Sequence, residues 1–446
     1  MKPRPSARSL PRQLRPGKRS KGSHGKRAAN SPRRRRLARA KKEGTIKGME
    51  IEVVFIASLS LIAYAYVGYP ALIFIISRLF GRKPRQADIE PTVSVIITAF
   101  NEERDIAAKI ENTLELDYPR EKLEIIVTSD CSTDRTDEIV RGYASRGVIL
   151  HRQPARFGKT VAQNCAMRVS SGEILVFSDA TTMYEPDAVR KIVRSFADPE
   201  VGCVAGQLSY VDRTRTAVGR GCRSYWGYEK FLKQSESRMW SLIGVSGCLY
   251  AVRRSSYAKL ARDMSSDFVI ATEIYLQGLR TVYDAEARAT EDTNRRGRDE
   301  FHMRVRVIEQ TMTAMRRYRE VLDLRKHGMY AFQMLSHKVM RYGVAPLLLI
   351  AFASNFFLSG SSDFYGLTFI GQFVIYSAAL IGWVCERVGL RSRLLGLPYY
   401  FVLANAAALA ALDKFLRGET HIVWEPIRDK EMTAERPGYR TAVEGM

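Results

Sequence analysis

Apolar residues in this chain gather into two kinds of run. Long, charge-poor runs occupy Ile51 to Leu79 and three stretches near 343–360, 365–385 and 395–413. Short runs, each closed by polar residues, recur between about 91 and 320. About 20 apolar residues cross a bilayer as a helix. The long runs therefore predict an N-terminal transmembrane segment over 51–80 and three transmembrane helices over 343–413. Gly68-Tyr69-Pro70 predicts a kink in the first segment, or its division into a short hairpin. Tyr330 to Tyr342 mixes apolar residues with Lys338 and Arg341, which predicts an interfacial amphipathic helix over 330–342. Residues 414–446 read as a C-terminal tail.

The short runs carry the fold. Thr92 to Ala99 (TVSVIITA) is continuous and β-branched, the pattern of a strand buried on both faces. Leu123 to Thr128, Val148 to His151 and Glu173 to Ser178 repeat the strand pattern. Between them, Glu102 to Leu116, Asp130 to Ser145 and Lys159 to Ser170 have helical spacing. Alternating strand and helix predicts an α/β domain over 91–320, with a mostly parallel, Rossmann-like sheet and helices on both faces.

Charge changes the picture at the N-terminus. The net charge of the 446 residues is +23, and residues 1–50 supply +16 of it, with 18 Lys/Arg against two acids. Such a segment buries too little apolar surface to offset its ordering entropy, so 1–50 reads as a disordered basic tail. Arg33 to Arg36 suits anionic lipid headgroups or nucleic acid, or is simply solvated. The core lacks basic stripes interleaved with aromatics, so no nucleic-acid partner is expected. The tail should stay cytoplasmic by the positive-inside tendency. The loop after the first span is also basic (Arg78, Arg82, Lys83, Arg85), so both ends are attracted to one side. A hairpin over 51–79 would reconcile the two, as would a tail exported or absent in the mature protein. The six cysteines include no C-x-x-C pair, which supports neither a zinc knuckle nor a dithiol motif and suits a reducing compartment.

Candidate chemistry sits at strand ends, where ligands of doubly wound sheets bind. The first strand runs into Ala99-Phe100-Asn101-Glu102-Glu103. The second runs into Ser129-Asp130-Cys131-Ser132-Thr133-Asp134, and the fourth into Ser178-Asp179-Ala180-Thr181. An acid at each of three tips suits a nucleotide held with a hard cation. Taken singly, Asn101 and Asp130 could equally be helix caps.

These residues resemble family 2 glycosyltransferases of the GT-A fold, in the cellulose-synthase-like membrane branch that includes cellulose, chitin and hyaluronan synthases. Pro91 to Glu103, Asp117-Tyr-Pro, Ser129 to Asp134, and Gly158-Lys159 followed by Asn164 carry the resemblance, which covers about Pro91 to Met315. It implies a GT-A nucleotide-diphospho-sugar transferase domain joined to transmembrane helices. It implies that Ala99, Asn101, Glu102 and Asp130, with Lys159 nearby, hold the donor's base and ribose. Asp179 would be the first acid of a metal-binding Asp-x-Asp whose second acid is here Thr181, so Mg2+ or Mn2+ would rest on Asp179 with help from Thr181.

The family's base opens a helix, and Ser265-Ser266-Asp267-Phe268 fits that place, with Gly278 eleven residues on; Thr272-Glu273 is a nearby rival. Ser246, Gly247 and Cys248 resemble the acceptor loop. Where the family has Gln-x-x-Arg-Trp, this chain has Met303-Arg304-Val305-Arg306-Val307: the Gln and Trp are missing, and Arg304 and Arg306 would neutralise the leaving diphosphate, or else form a solvated helix face. Trp424 and Pro426 resemble a recurrent C-terminal feature.

The implied activity is inverting transfer of a sugar from a nucleotide-diphosphate donor, UDP-linked, to a glycan or lipid-linked acceptor, in cell-surface polysaccharide or glycolipid synthesis. The implied setting is multi-pass in an inner membrane, among membrane lipids, with a cytoplasmic catalytic domain and export partners for a polymer product. Two rivals remain: a processive polysaccharide synthase, and a non-catalytic nucleotide-sugar-binding scaffold, which the loss of the acid at Thr181 suggests.

Overall fold

A computed structural model describes residues 32–211, 217–292, 296–390, 392 and 394–419. Most of the basic tail, Trp424 and Pro426 lie outside the described residues. Contacts divide the chain after Val53. Helix Pro32–Ala63 begins in the basic run, so the backbone of 32–50 is helical where composition predicts disorder. Arg, Lys, Ala and Leu are good helix formers, and an adjoining apolar helix removes their nucleation cost.

One π-helical turn, Tyr64–Gly68, leads into helix Tyr69–Phe80. Pro70 has no N–H to give to a preceding carbonyl, and a π-turn is a common way to absorb that defect. The 51–79 run is therefore a bulged helix and not a hairpin.

Among the described residues, eight strands form one sheet: β1 Val93–Ala99, β2 Leu123–Ser129, β3 Val148–Arg152, β4 Ile174–Asp179, β5 Met183–Tyr184, β6 Val201–Val211, β7 Leu249–Arg253 and β8 Arg280–Asp292. Their order is β3-β2-β1-β4-β7-β6-β8-β5. The four strands read from sequence are the parallel half. Past β4 the sheet is mixed: β7 is antiparallel to β4 and β6, β8 is parallel to β6, and β5 is antiparallel to β8. The parallel expectation fails there because β7 starts at the carboxyl end of β4, with Leu249 opposite Ser178. The loop just before it, Gly244 to Cys248, thus lies among the polar strand tips.

Alternation within the strands builds a core on each face. Val93, Val95 and Ile97 join Val176 and the helices flanking one face. Ile96, Leu175, Phe177 and Tyr250 face the other way. This second core takes in Phe268, Val269 and Ile270, and then Tyr330, Met334, Ala345, Ala407 and Ala411 from the C-terminal helices.

Among the described residues, four helices are long and apolar enough to cross a membrane: Gly48–Phe80, Leu324–Leu358, Asp363–Arg387 and Gly396–Arg417. The first is kinked by its π-turn and the second bends at Gly328, which has φ +46°. Their outer faces are apolar, with Leu367 at 69% and Phe373 at 59% exposure. Residues 330–342 are not a separate interfacial helix. They belong to the 324–358 helix, with Tyr330 and Met334 buried against the sheet domain and the Tyr330 ring stacked on Tyr275 at 3.8 Å. The apolar positions of that segment serve protein packing rather than a lipid surface.

Phe177 stacks on Tyr250 at 4.8 Å and Tyr257 at 5.6 Å with no exposure. Phe177→Ala should destabilise the protein by about 3–5 kcal/mol through lost burial and an unfilled cavity. A lower unfolding midpoint of the solubilised protein would show it; an unchanged midpoint would contradict this packing.

Candidate active site

The loops after β1 and β2 interlock. Asn101 has φ +55° and Cys131 has φ +61°, conformations uncommon for residues with a Cβ. The Asn101 side-chain oxygen accepts from the Thr133 N–H at 2.6 Å, and its own N–H donates to Ser132 Oγ at 3.0 Å. Asp130 is buried, and its carboxylate accepts from Gln153 Nε2 at 3.1 Å, Phe157 N–H at 2.8 Å and Gly158 N–H at 2.8 Å. Asp130 therefore organises the turn that launches helix Lys159–Val169, whose first residue points into the site.

A cavity of about 610 Å³ opens at the strand tips. It is lined by Glu102, Lys159, Asp179, Thr181, Ser246, Gly247, Cys248, Asp267, Arg304 and Arg306, so ten of the thirteen residues singled out from sequence line one cavity. Ala99, Asn101 and Asp130 are not among its lining residues. Asn101 and Asp130 instead brace the two loops at its edge.

The Lys159 ammonium ion-pairs with Asp179 and donates to the Gly247 carbonyl at 3.2 Å. Burial alone would lower its pKa, but the negative charge of Asp179 outweighs that and holds Lys159 above the ordinary lysine value. Asp267 lies in the first turn of helix Ser266–Leu276, where the helix dipole favours a carboxylate. Its carboxylate accepts from Ser265 Oγ and from the Phe268 N–H at 3.0 Å. A Cβ on Gly247 would stand 3.5 Å from Lys159 Nζ and 3.6 Å from Asp267 Oδ2, ordinary contact distances, so both groups approach the same point of the loop. The rival Glu273 accepts from the Tyr318 hydroxyl and does not line the cavity.

The two arginines differ. Arg304 donates to Glu300 at 2.8 Å and to the Tyr400 hydroxyl, and lies over the Tyr225 ring at 4.4 Å. Its guanidinium is thus held at the seam with the last helix while still lining the cavity. Arg306 has no ion pair among the described residues. Burial depresses its pKa, partly offset by Asp179 and Asp267.

Sequence reading missed several wall residues. Lys233 is buried and donates to Ser246 Oγ at 2.7 Å. Glu291, near the end of β8, accepts from Thr181 Oγ1 at 3.0 Å, and burial, with Asp179, pushes its carboxyl up to about 7. The alternation Glu286-Ala287-Arg288-Ala289, with both alanines buried, was the signal for β8. Nothing in the sequence signalled that β8 would end beside Thr181. Burial also pushes the Cys248 thiol well up, with Glu291 and Asp179 adding to it, so this sulfur stays protonated.

The cavity continues between helices, past Tyr225, Trp226, Arg341, Tyr400, Phe401 and Asn405. Its far wall is polar as well as aromatic: His337 Nδ1 lies 2.7 Å from Glu236, and Arg341 pairs with Glu229.

Residues 94–261 match the sequence model of the family described as Glycosyl transferase family 2. The chain carries a family 2 glycosyltransferase domain. Among curated proteins, it is 29% identical over 199 residues to a "Probable glycosyltransferase YdaM" of Bacillus subtilis, covering 42% of this chain and 47% of that one. It is 32% identical over 178 residues to an N-acetylglucosaminyltransferase of Rhizobium meliloti, covering 38% and 41%. The matches thus span less than half the length of these curated relatives. Among solved structures, the mannosyltransferase PcManGT from Pyrobaculum calidifontis, in complex with GDP-Man and Mn2+, superposes with a TM-score of 0.62 at 24% identity, over 83% of this chain and 99% of that one. That likeness carries the GT-A fold from the sheet into the flanking helices.

Within the glycosyltransferase domain, Asp130→Asn should cost about 1–3 kcal/mol, because its new amide hydrogens would face N–H donors. The 153–158 turn should loosen, so nucleotide binding should weaken alongside the melting temperature. Unchanged nucleotide affinity in calorimetry would show that the turn does not shape the donor site.

Proposed function

We propose that the chain is a multi-pass membrane enzyme that transfers a sugar, with inversion, from a UDP-linked donor to a hydroxyl of a glycan or lipid-linked acceptor. The single observation that carries this is the meeting of Asp267, Lys159 and Asp179 around Gly247, in a cavity that runs on between apolar helices.

On this reading the donor's base and ribose lie over the β1 and β2 loops, near Asn101, Glu102 and Asp130. The diphosphate lies toward Asp179. The donor set there is of hard oxygens, the Asp179 carboxylate and the Thr181 hydroxyl, and fits Mg2+ or Mn2+ better than a soft metal. Such an ion, when bound, supplies positive charge to the departing diphosphate. Arg306 adds charge from the protein itself, and Lys159 is placed to turn from Asp179 to a phosphate oxygen.

A sugar hydroxyl is a poor nucleophile until its proton is taken. Asp267 accepts that proton as the acceptor oxygen bonds to C1. The C1–phosphate oxygen bond breaks, its electron pair leaves with the nucleoside diphosphate, and attack from the opposite face inverts the anomeric carbon. The acceptor enters from the helix side, past Trp226 and Phe401 of the cavity lining, where the Trp of the Gln-x-x-Arg-Trp pattern is missing.

The apolar outer faces of the four helices suit lipid, and nucleotide-sugar supply puts the catalytic domain at the cytoplasmic face of an inner membrane. The substitution at Thr181 favours a second reading, a scaffold that binds nucleotide sugars without transfer. The setting of Asp267 speaks against it. Processive synthesis with export partners differs only in product length, which sizing the product of purified protein would report.

Asp267→Asn should lower transfer by about 10²–10⁴-fold while leaving nucleotide affinity within a few-fold. Donor turnover and calorimetric UDP binding measure the two sides. Turnover at the wild-type rate would remove Asp267 from the mechanism.

A further inference from the structure

The acid missing at Thr181 has a neighbour in space. β5 pairs with β8 immediately after the Asp179-Ala180-Thr181 turn, with Met183 opposite Thr290 and Tyr184 opposite Ala289. That pairing carries the end of β8 alongside the turn. Glu291 continues the inward row of Ala287 and Ala289 and accepts from Thr181 Oγ1 at 3.0 Å. Asp179, Thr181 and Glu291 all line the cavity.

Charge balance on this wall is uneven. Lys159 is committed to Asp179, whereas no described Lys or Arg ion-pairs with Glu291. A carboxylate held on a cavity wall beside a second one, with no basic partner of its own, is a costly arrangement that a cation relieves. We infer that Glu291 supplies the second carboxylate of the divalent-cation site, reached across the sheet from β8 rather than along the chain from the fourth strand tip. Thr181 then orients that carboxylate instead of replacing it, in the way outer hydrogen bonds fix metal ligands elsewhere. The assignment rests on the proposed nucleotide-sugar reading only in expecting a cation there at all.

The test uses the full-length solubilised protein and Mn2+ as probe, with free Mn2+ read by electron paramagnetic resonance in the absence and presence of UDP. Glu291→Gln should weaken Mn2+ affinity by about tenfold or more. Thr181→Asp in the Glu291→Gln background should restore it, by returning the second acid to its place on the strand tip. Glu291→Asp keeps the charge with a shorter reach, and intermediate affinity is expected, which covers the case of a Gln variant that fails to fold. Wild-type Mn2+ affinity in Glu291→Gln, or no recovery in the double variant, overturns the inference. UDP release by the wild-type protein reports separately on the transfer reading. An enzyme that releases UDP but whose Mn2+ affinity ignores residue 291 sinks this assignment alone, and wild-type protein that releases no UDP from any donor sinks the transfer reading.

Discussion

The second face of the sheet is the constraint on which the rest depends. Ile96, Leu175, Phe177 and Tyr250 belong to the same core as Phe268, Val269 and Ile270, and that core runs on into Met334, Ala345, Ala407 and Ala411 of the long apolar helices. Fully burying one such side chain contributes about 1.5–3 kcal/mol, so a core of this extent makes the join hard to separate. The helix that begins at Ser266 is buried on both sides, against the sheet and against the C-terminal helices. Asp267 is therefore held at the seam between two structural layers, facing strand tips on one side and helices on the other. A carboxylate on a flexible lid would not have this fixed relation to both.

Electrostatics within the cavity complements that packing. The wall carries Asp179 paired with Lys159, Lys233 hydrogen-bonded to Ser246, and Arg306, which has no ion pair among the described residues. Lys159 balances Asp179. On the proposed reading a donor diphosphate brings new negative charge, which the cations on this wall would meet. Arg304 shows the contrast. Its partners Glu300 and Tyr400 bind it to the last helix, so it contributes to the architecture of the wall and not to its spare charge.

Much of this was legible in the sequence, for reasons that differ by element. The four parallel strands are short, β-branched and buried on both faces, so their pattern survives any neighbour. Strands β5 to β8 were not read: β5 is two residues long, the return of β7 along β4 depends on a loop path that no local period encodes, and the alternation at Glu286 to Ala289 marks only part of β8. Asp179, Lys159 and Asp267 were legible because their motifs sit at strand tips and a helix start, where the backbone dictates position. Asp130 was found as a residue, but its orientation toward the 153–158 turn is a matter of three N–H donors that arrive from elsewhere in the chain. Arg304 looked like Arg306 because charge is visible in sequence and its partners are not. The same limit hid Glu291, which reaches the site only through the pairing of β8 with β5.

The division of the cavity has a consequence for the acceptor. Its strand-tip end carries Lys159, Asp179 and Asp267, whereas its far end sets Phe401, Ala404 and Ala408 of the last helix beside the ion pairs of Glu229, His337 and Arg341. On the proposed reading the nucleotide takes the first end. An acceptor that carries both a hydroxyl and an apolar or stacking surface fits the reverse, with its hydroxyl at Asp267 and its body between aromatic rings. On the proposed reading, donor and acceptor then approach from opposite ends, and Asp267 sits where the two meet. That geometry asks the membrane-type helices to form part of the acceptor site, a task an anchor alone would not need. It also gives a physical reason for the buried ion pairs of Glu229, Arg341 and His337: a polar lining inside apolar helices is costly, and it is retained where a polar ligand must pass or rest.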